Sequence, residues 1–442
     1  MGRLNAMLHD MPTNPRLLLT VSTVLLAIAS ASCSRAEPGA HGGSAAASDT
    51  RKPWTVGVEP MQSPAGADSS EPQMTVSDRG VLLSWIERTG RSTATLKFAE
   101  RTASGWTTPT TVSSGDNWFI SYADPPVVLR RPDGTLVANW LESTNKQIEG
   151  SDLHLTYSKD NGKTWAPSFL PHHDGTKGQH AFPSFFELPG GMLGMVWLDA
   201  RAQAAHPEDL EASMSLRYAA FDASWKQTAE AQVDARVCEC CATTTAVTAD
   251  GVIVAFRDRS EKEIRDIYVS RLENGKWTDG TPLHNDNWEI DACPVNGPML
   301  NARGRQAVVA WFTVKNDQGQ AWAAFSGDAG HTWGAPIRLD DAGSLGRVDV
   351  ELLDDGSAAA TWVEYADKRG QFRMRRIEPS GMRTPAVNVA GVSSSAASGV
   401  PRMARRGDEL VFAWTESTTS DPNQTDTAQA VKTAIARLPS TR

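Results

Sequence analysis

The sequence predicts an all-β fold, a β-propeller of four-stranded antiparallel blades, on three observations. First, an aromatic residue recurs at intervals of 51 to 59 residues: Trp85, Trp140, Trp197, Phe256, Trp311, Trp362 and Trp414. A fixed period in that range marks a tandem supersecondary unit. Second, each aromatic closes a short β-rich run, as in GVLLSW, GTLVANW, GVIVAF and DELVFAW, which reads as one hairpin repeated around a ring. Third, helical periodicity is scarce and confined to a short stretch at Pro207–Ser213. Seven units are read, with six blades as the alternative.

The elements follow in chain order. Arg16 precedes the apolar run Leu17–Ala31, an export signal too short for a comfortable membrane span. It ends in Ser30-Ala31-Ser32-Cys33, which resembles a bacterial lipoprotein signal with Cys33 as the lipidated residue. Ser34 in place of Asp implies, by the same resemblance, the outer rather than the inner membrane, with the propeller in the periplasm or at the cell surface. Residues 34–52 are rich in Ala, Gly and Ser and read as a flexible tether. A single propeller domain spans 53–440. Each unit runs strand, turn, strand, loop, strand, turn, strand. In the second unit these are Pro126–Leu129, Thr135–Trp140, Leu153–Ser158 and Ala166–Leu170, with Pro132-Asp133-Gly134 as the first turn. The seventh unit, Val400–Leu438, holds only three strands, and Trp54–Glu59 supplies the fourth, so the two termini seal the ring. The formal charge of −9 argues against nucleic acid as a partner and leaves the lipid anchor as the contact with membrane; the chain is expected to be a monomer.

Two turns between third and fourth strands carry a sharper signature. Ser158, Asp160, Gly162 and Trp165, like Ser326, Asp328, Gly330 and Trp333, fit S-x-D-x-G-x-x-W. Here the chain resembles the sialidase-like (Asp-box) β-propeller superfamily over most of its length. The Asp accepts turn N–H groups, the Gly takes a positive φ and the Trp packs under the hairpin. The resemblance implies that these boxes are structural and face away from the catalytic side. It also implies, for enzymes of the family, three arginines on a substrate carboxylate, an Asp acid/base and a Tyr–Glu nucleophile. Where the family carries Arg-Ile-Pro on an early inner strand, this chain reads Ile120-Ser121-Tyr122-Ala123-Asp124-Pro125. That departure, and seven units where the enzymes have six blades, point away from sialidase activity.

The rim opposite the boxes holds the aromatic-x-acid pairs: Trp85/Glu87, Trp140/Glu142, Trp197/Asp199, Phe256/Asp258, Trp311/Thr313, Trp362/Glu364 and Trp414/Glu416. Period-two geometry puts aromatic and acid on one side of the strand, the aromatic packing between blades and the acid capping a loop or a neighbouring amide. The fourth unit breaks the pattern with Phe256-Arg257-Asp258-Arg259. Its inner strand is read as starting at Arg236-Val237-Cys238-Glu239-Cys240-Cys241, and the next at Asp291-Ala292-Cys293, so four thiols share one rim near Asn296. The sequence from Cys238 through Asn296 resembles a group of bacterial envelope lipoproteins labelled sialidase-like. Export and an even count of cysteines favour disulfides; the alternative is a thiolate site for Cu or Zn, with His180 as a further ligand. Arg201, Arg236, Arg257, Arg259 and Arg347 are candidates for an anionic ligand, with ion pairing to Asp199, Asp258 and Asp266 as the alternative. Three functions follow: a ligand- or metal-binding propeller, an exo-α-sialidase-like glycosidase acting on acidic sugars with Asp199 or Asp258 as acid, and an envelope protein-interaction scaffold. Its ligand would accordingly be a small molecule, a glycan or a metal.

Overall fold

A computed structural model describes residues 54–89, 93–145, 149–205, 212–417 and 429–439. The signal, Cys33 and the tether lie outside the described residues. Seven antiparallel sheets follow one another along the chain. Blade 1 is Ser69–Val76, Val81–Thr89 and Thr93–Thr102, with Gly105–Trp106 and Thr110–Gly115 both pairing on its third strand. Blade 3 is His180–Leu188, Met192–Asp199, Met214–Phe221 and Gln227–Val237. In blade 4, Thr244–Thr248, Gly251–Arg257 and Ile267–Glu273 are followed by two short pieces, and blade 5 begins at Met299–Arg303 and Gln306–Lys315. Blade 6 starts with Ser344–Leu352 and Ala358–Ala366.

Blade 7 closes the ring as expected. Arg402–Arg406, Glu409–Ser417 and Gln429–Arg437 take Val58–Met61 as fourth strand, in register Val58 to Ala436 and Met61 to Thr433. Arg101 of blade 1 reaches Glu409 of blade 7 at 2.6 Å across the seam.

Two expectations are corrected. Blade 2 has three strands, Val128–Arg130, Leu136–Asn145 and Gly150–Ser158. The expected fourth, Ala166–Leu170, contributes only a bridge between Phe169 and Leu155, because Pro167 and Pro171 bring no N–H to a ladder. The helical turn is at Arg201–Ala205, ahead of Pro207–Ser213, most of which lies outside the described residues.

The aromatic-x-acid pairs have a simpler meaning than the one expected. In four of the seven pairs the acid accepts the indole N–H of its own tryptophan: Trp85 to Glu87 at 2.8 Å, and Trp140 to Glu142, Trp197 to Asp199 and Trp362 to Glu364 at 2.9 Å each. The Trp414 N–H is buried without a partner among the described residues, while Glu416 pairs with Lys432 at 3.2 Å. Trp85, Trp197, Trp311 and Trp362 are among the largest fully buried side chains, so each buried N–H needs an acceptor. Where Thr313 replaces the acid, Asp286 of the preceding loop accepts from Trp311 at 2.8 Å. Asp286→Ala is therefore expected to destabilise the protein by about 1–3 kcal/mol, the cost of an orphaned buried donor. Chemical denaturation checks this, and adding Thr313→Glu should recover part of the loss.

Three inner strands carry β-bulges, between Ser70 and Gln73, Ala181 and Ser184, and Gly346 and Asp349. Glu71, Phe182 and Arg347 there hold φ of 57°, 56° and 53°. Such bulges re-aim side chains next to sites. Burial pushes nearby carboxyls up, Glu71 and Asp124 to about 7 and Asp349 to about 6. Their folded pKa values exceed the unfolded ones, so the stability they contribute is present at acid pH and lost as pH rises through 6 to 7. His172, pushed down to about 3 by burial, acts oppositely between pH 6.5 and 3, but it is one group against five, since Asp258 and Glu351 are also pushed up, to about 7 and about 8. The melting temperature is expected to be higher at pH 5 than at pH 8, and Glu71→Gln should reduce the difference.

Candidate thiol site and its surroundings

The cysteines do not lie on the inner strands. Val237 ends the outer strand of blade 3 and bridges Asp258, and the Cys238 N–H donates to the Arg257 carbonyl at 2.9 Å. Cys238–Cys241 then turn over the end of blade 4's second strand, and the inner strand starts only at Thr244. Cys293 likewise sits in the loop before Met299. Gly297 holds that loop against the turn: a Cβ there would stand 2.2 Å from the Ala242 carbonyl oxygen, so only glycine permits the approach.

All four thiols are free. The Sγ of Cys238 lies 3.8 Å from that of Cys240 and 3.5 Å from that of Cys241, and the three sulfurs fall within 4.8 Å of one another. Cys293 is exposed in the neighbouring loop and is not one of the three grouped sulfurs. A disulfide needs a separation of about 2.05 Å. Tetrahedral ligands each about 2.3 Å from one ion stand about 3.8 Å apart. The observed separations are closer to the second arrangement than to the first.

A charged collar surrounds the sulfurs. Arg265 donates to Cys238 Sγ at 3.4 Å and to Glu263 at 2.7 Å, and it lies 3.4 Å from Glu239. Arg259 binds Glu263 at 2.7 Å, Glu239, and the Ser213 hydroxyl at 3.2 Å. Contacts with the Cys240 and Cys241 thiols, with Arg257 and Arg265 beyond them, pull the Cys238 thiol well below its usual range. The Cys240 thiol is pushed up by its contact with Cys238, and that of Cys241 by burial.

The other candidate residues divide into separate groups. Arg257, 1% exposed, gives its guanidinium to three backbone carbonyls: Asn296 at 2.7 and 3.1 Å, Arg265 at 2.6 Å and Phe312 at 2.8 Å. It also lies over the Trp288 ring at 5.0 Å. It ties blades 4 and 5 together and is not available to a ligand. Arg236 faces Glu263 at 3.8 Å. Asn296 accepts the Arg347 N–H on Oδ1 at 2.8 Å, while Arg347 binds Ser398 and the Ser395 carbonyl. A cavity of about 20 Å³, room for one water, is lined by Cys240, Asn296, Arg347 and Arg402. Further along the channel a cavity of about 210 Å³ is lined by Asp124, Thr243 and Arg402.

His180 does not join the thiols. Its Nδ1 meets the Ser151 carbonyl at 3.1 Å and its Nε2 meets Asp174 at 2.9 Å, so both nitrogens have acceptors. Asp199 is held by Arg201 at 2.7 and 2.8 Å, and Arg201 is 3.4 Å from Asp174. His172 stacks on His180 with ring centres 3.6 Å apart. Two carboxylates facing Arg201 and His180 close an ion cluster that needs no metal. Burial pushes Asp199 up, but Arg201 and His180 outweigh it and hold the carboxyl below its usual range, which does not suit a proton donor. Asp258, whose partner position holds Phe256 instead of a tryptophan, is pushed up to about 7 by burial and by Asp234. Sequence reasoning missed Glu263, His172 and Asp174, which carry no motif and become partners only across loops.

The two S-x-D-x-G-x-x-W turns share one hydrogen-bond pattern. Ser158 Oγ donates to Asp160 at 2.8 Å and accepts from the Gly162 N–H at 2.9 Å, while Thr164 N–H and hydroxyl donate to Asp160 at 2.9 and 2.6 Å. Ser326, Asp328, Gly330 and Thr332 repeat it, and both glycines hold φ of 82°. Trp165 and Trp333 pack against the blade cores.

No protein-family profile and no curated protein matches this chain. Among solved structures, it is similar to a protein of unknown function from Dyadobacter fermentans, at 14% identity and a TM-score of 0.47 over 87% of this chain and 98% of that one. It is similar to the polysaccharide lyase Uly1 at 9% identity and 0.49, over 84% and 90%. A Penicillium chrysogenum α-L-arabinanase complexed with arabinobiose follows at 12% and 0.43, over 73% and 97%. These likenesses concern the course of the chain and carry no argument about chemistry.

Proposed function

We propose that this protein is an exported propeller that binds a soft or borderline metal ion, Cu(I) or Zn, through the thiols at the rim of blades 4 and 5. The observation that carries the reading is the convergence of Cys238, Cys240 and Cys241 to within 4.8 Å. Thiolates in that arrangement suit thiophilic ions. Cys238, Cys240 and Cys241 would hold the ion, and Arg265 would offset the negative charge of the sulfurs and orient Cys238. The glycosidase reading has less support, because Arg201, Arg257 and Arg259 are each engaged by internal acceptors. The two Asp-box-like turns support kinship with sialidase-like propellers as a matter of fold, which does not fix activity. Anchoring through a lipid on Cys33 at the outer membrane belongs to the same proposal and rests on the leader alone.

The test is the metal content and thiol count of the full chain isolated from its own envelope without chelators. About one equivalent of copper or zinc, removed together with metal protection of the thiols when chelator is added, is the expected result. Two disulfides by mass spectrometry and no bound metal would overturn it. A Cys33→Ser chain that still labels with fatty acid would remove the anchor.

A further inference from the structure

Six of the seven blades bring their first strand to one cavity. The space of about 210 Å³ in the channel is lined by Gln73, Leu129, Phe182, Thr244, Met299 and Arg402, of blades 1, 2, 3, 4, 5 and 7 in turn. It adjoins a wider cavity of about 490 Å³, with which it shares Thr75, Leu129 and Phe185. Arg402, which opens the first strand of blade 7, is only 4% exposed. Its Nη1 meets the Met299 thioether at 3.5 Å, and its buried Nε has no protein acceptor. Among the described residues no carboxylate stands within ion-pair distance of it. Asp349 accepts instead from the Met403 and Val350 N–H groups, at 2.9 and 2.8 Å, and Asp124 from that of Phe182 at 2.7 Å. A guanidinium buried without an anion is costly, and such groups are normally paired. Arg347, which shares the adjoining small cavity with Arg402, adds a second positive charge, and its guanidinium binds the neutral Ser398 hydroxyl and Ser395 carbonyl. We propose that the channel cavity binds a small organic carboxylate, held side-on by the Nε–Nη2 edge of Arg402 with its carbon body against Phe182 and Leu129.

The wall decides the class of ligand. One guanidinium edge presents two parallel N–H groups, which match the two oxygens of a carboxylate. The hydroxyls around it are already engaged: Ser184 donates to the Thr243 carbonyl at 2.8 Å, Thr243 to the Phe182 carbonyl at 3.0 Å and Thr245 to the Phe185 carbonyl at 3.1 Å. Few donors are left for a phosphate or for the hydroxyls of an acidic sugar, whereas Phe182, Leu129 and Met299 suit an apolar body. Asp124 stands on the same wall, and burial pushes it up to about 7, so below that pH it presents a proton rather than a second negative charge. The proposal does not rest on the metal-binding reading.

The experiment records melting curves of the full chain at about pH 6, on the protonated side of Asp124, against rising sodium butyrate, with sodium chloride at the same ionic strength as reference. Butyrate is expected to raise the melting temperature in a saturable way, as a ligand of the folded state does, and inorganic phosphate and glucuronate are not. Arg402→Met is expected to weaken butyrate binding by about tenfold or more, the loss of a charged hydrogen-bonded pair. Without butyrate it should melt at or above the wild-type temperature, because a lone buried charge has gone. Arg402→Lys keeps the charge but has no such edge, so it should bind butyrate more weakly than wild type while remaining folded. No saturable response in wild type would overturn the proposal, since water would then serve Arg402. So would a butyrate response that survives unchanged in Arg402→Met or Arg402→Lys, or a marked loss of stability in butyrate-free Arg402→Met. A response to phosphate or glucuronate in place of butyrate would overturn the class of ligand.

Discussion

Cys238→Ser is expected to abolish tight Cu(I) or Zn binding, lowering affinity by roughly a hundredfold or more, beyond what loss of an outer-shell partner costs. Cys238 is the sulfur that both Cys240 and Cys241 contact, at 3.8 and 3.5 Å, and the one that Arg265 hydrogen-bonds. Serine removes the soft donor while keeping the size and a hydroxyl that Arg265 can still address. Competition with a chromogenic chelator measures the effect, and circular dichroism shows that the blades remain folded. Wild-type affinity in Cys238→Ser would mean that the sulfurs do not act as one site.

Arg257→Met is expected to destabilise the propeller by about 3 kcal/mol or more, since three buried carbonyls lose a charged donor at about 1–3 kcal/mol each. Its guanidinium makes four hydrogen bonds to three carbonyls on different segments, and methionine replaces the aliphatic stem but none of the donors. The Asn296, Arg265 and Phe312 carbonyls would be left buried with fewer partners. Urea unfolding checks this; a loss under about 1 kcal/mol, the worth of a single ordinary hydrogen bond, would show that water replaces the arginine. Arg259→Met, whose partners are half-exposed glutamates, should cost less. The contrast matters because both arginines read alike in the sequence as ligand candidates. Only their surroundings separate a buried seam from a charged collar.

How much was legible can be argued residue by residue. The spacing of the aromatics located every second strand, because burial of one hairpin face repeats whenever a blade repeats. Closure by the N-terminal strand was legible too, since a blade with three strands has an edge to cover. The tryptophan–acid pairs were visible as a pattern, but their bond was not: two residues on one side of a strand can meet each other or a neighbour, and sequence does not choose. Asp286, accepting from Trp311 across 25 residues, left no trace in the motif it replaces. The cysteines were rightly gathered to one rim but wrongly placed on inner strands, because Thr244 and Met299 start those strands later than the β-prone Val237 and Val295 suggest.

By itself the sequence determined the all-β repeat, its ring closure and the sector where the thiols collect, since hydrophobic period and turn chemistry act locally. The tertiary structure alone decided which charges face which sulfurs. Gly297 seats one loop on another, Arg257 is drawn into the seam, and His180 is taken by Asp174 rather than by a cysteine. Each of those choices depends on contacts between segments far apart in the chain, where direct contact within a few ångströms, rather than spacing along the backbone, sets the chemistry.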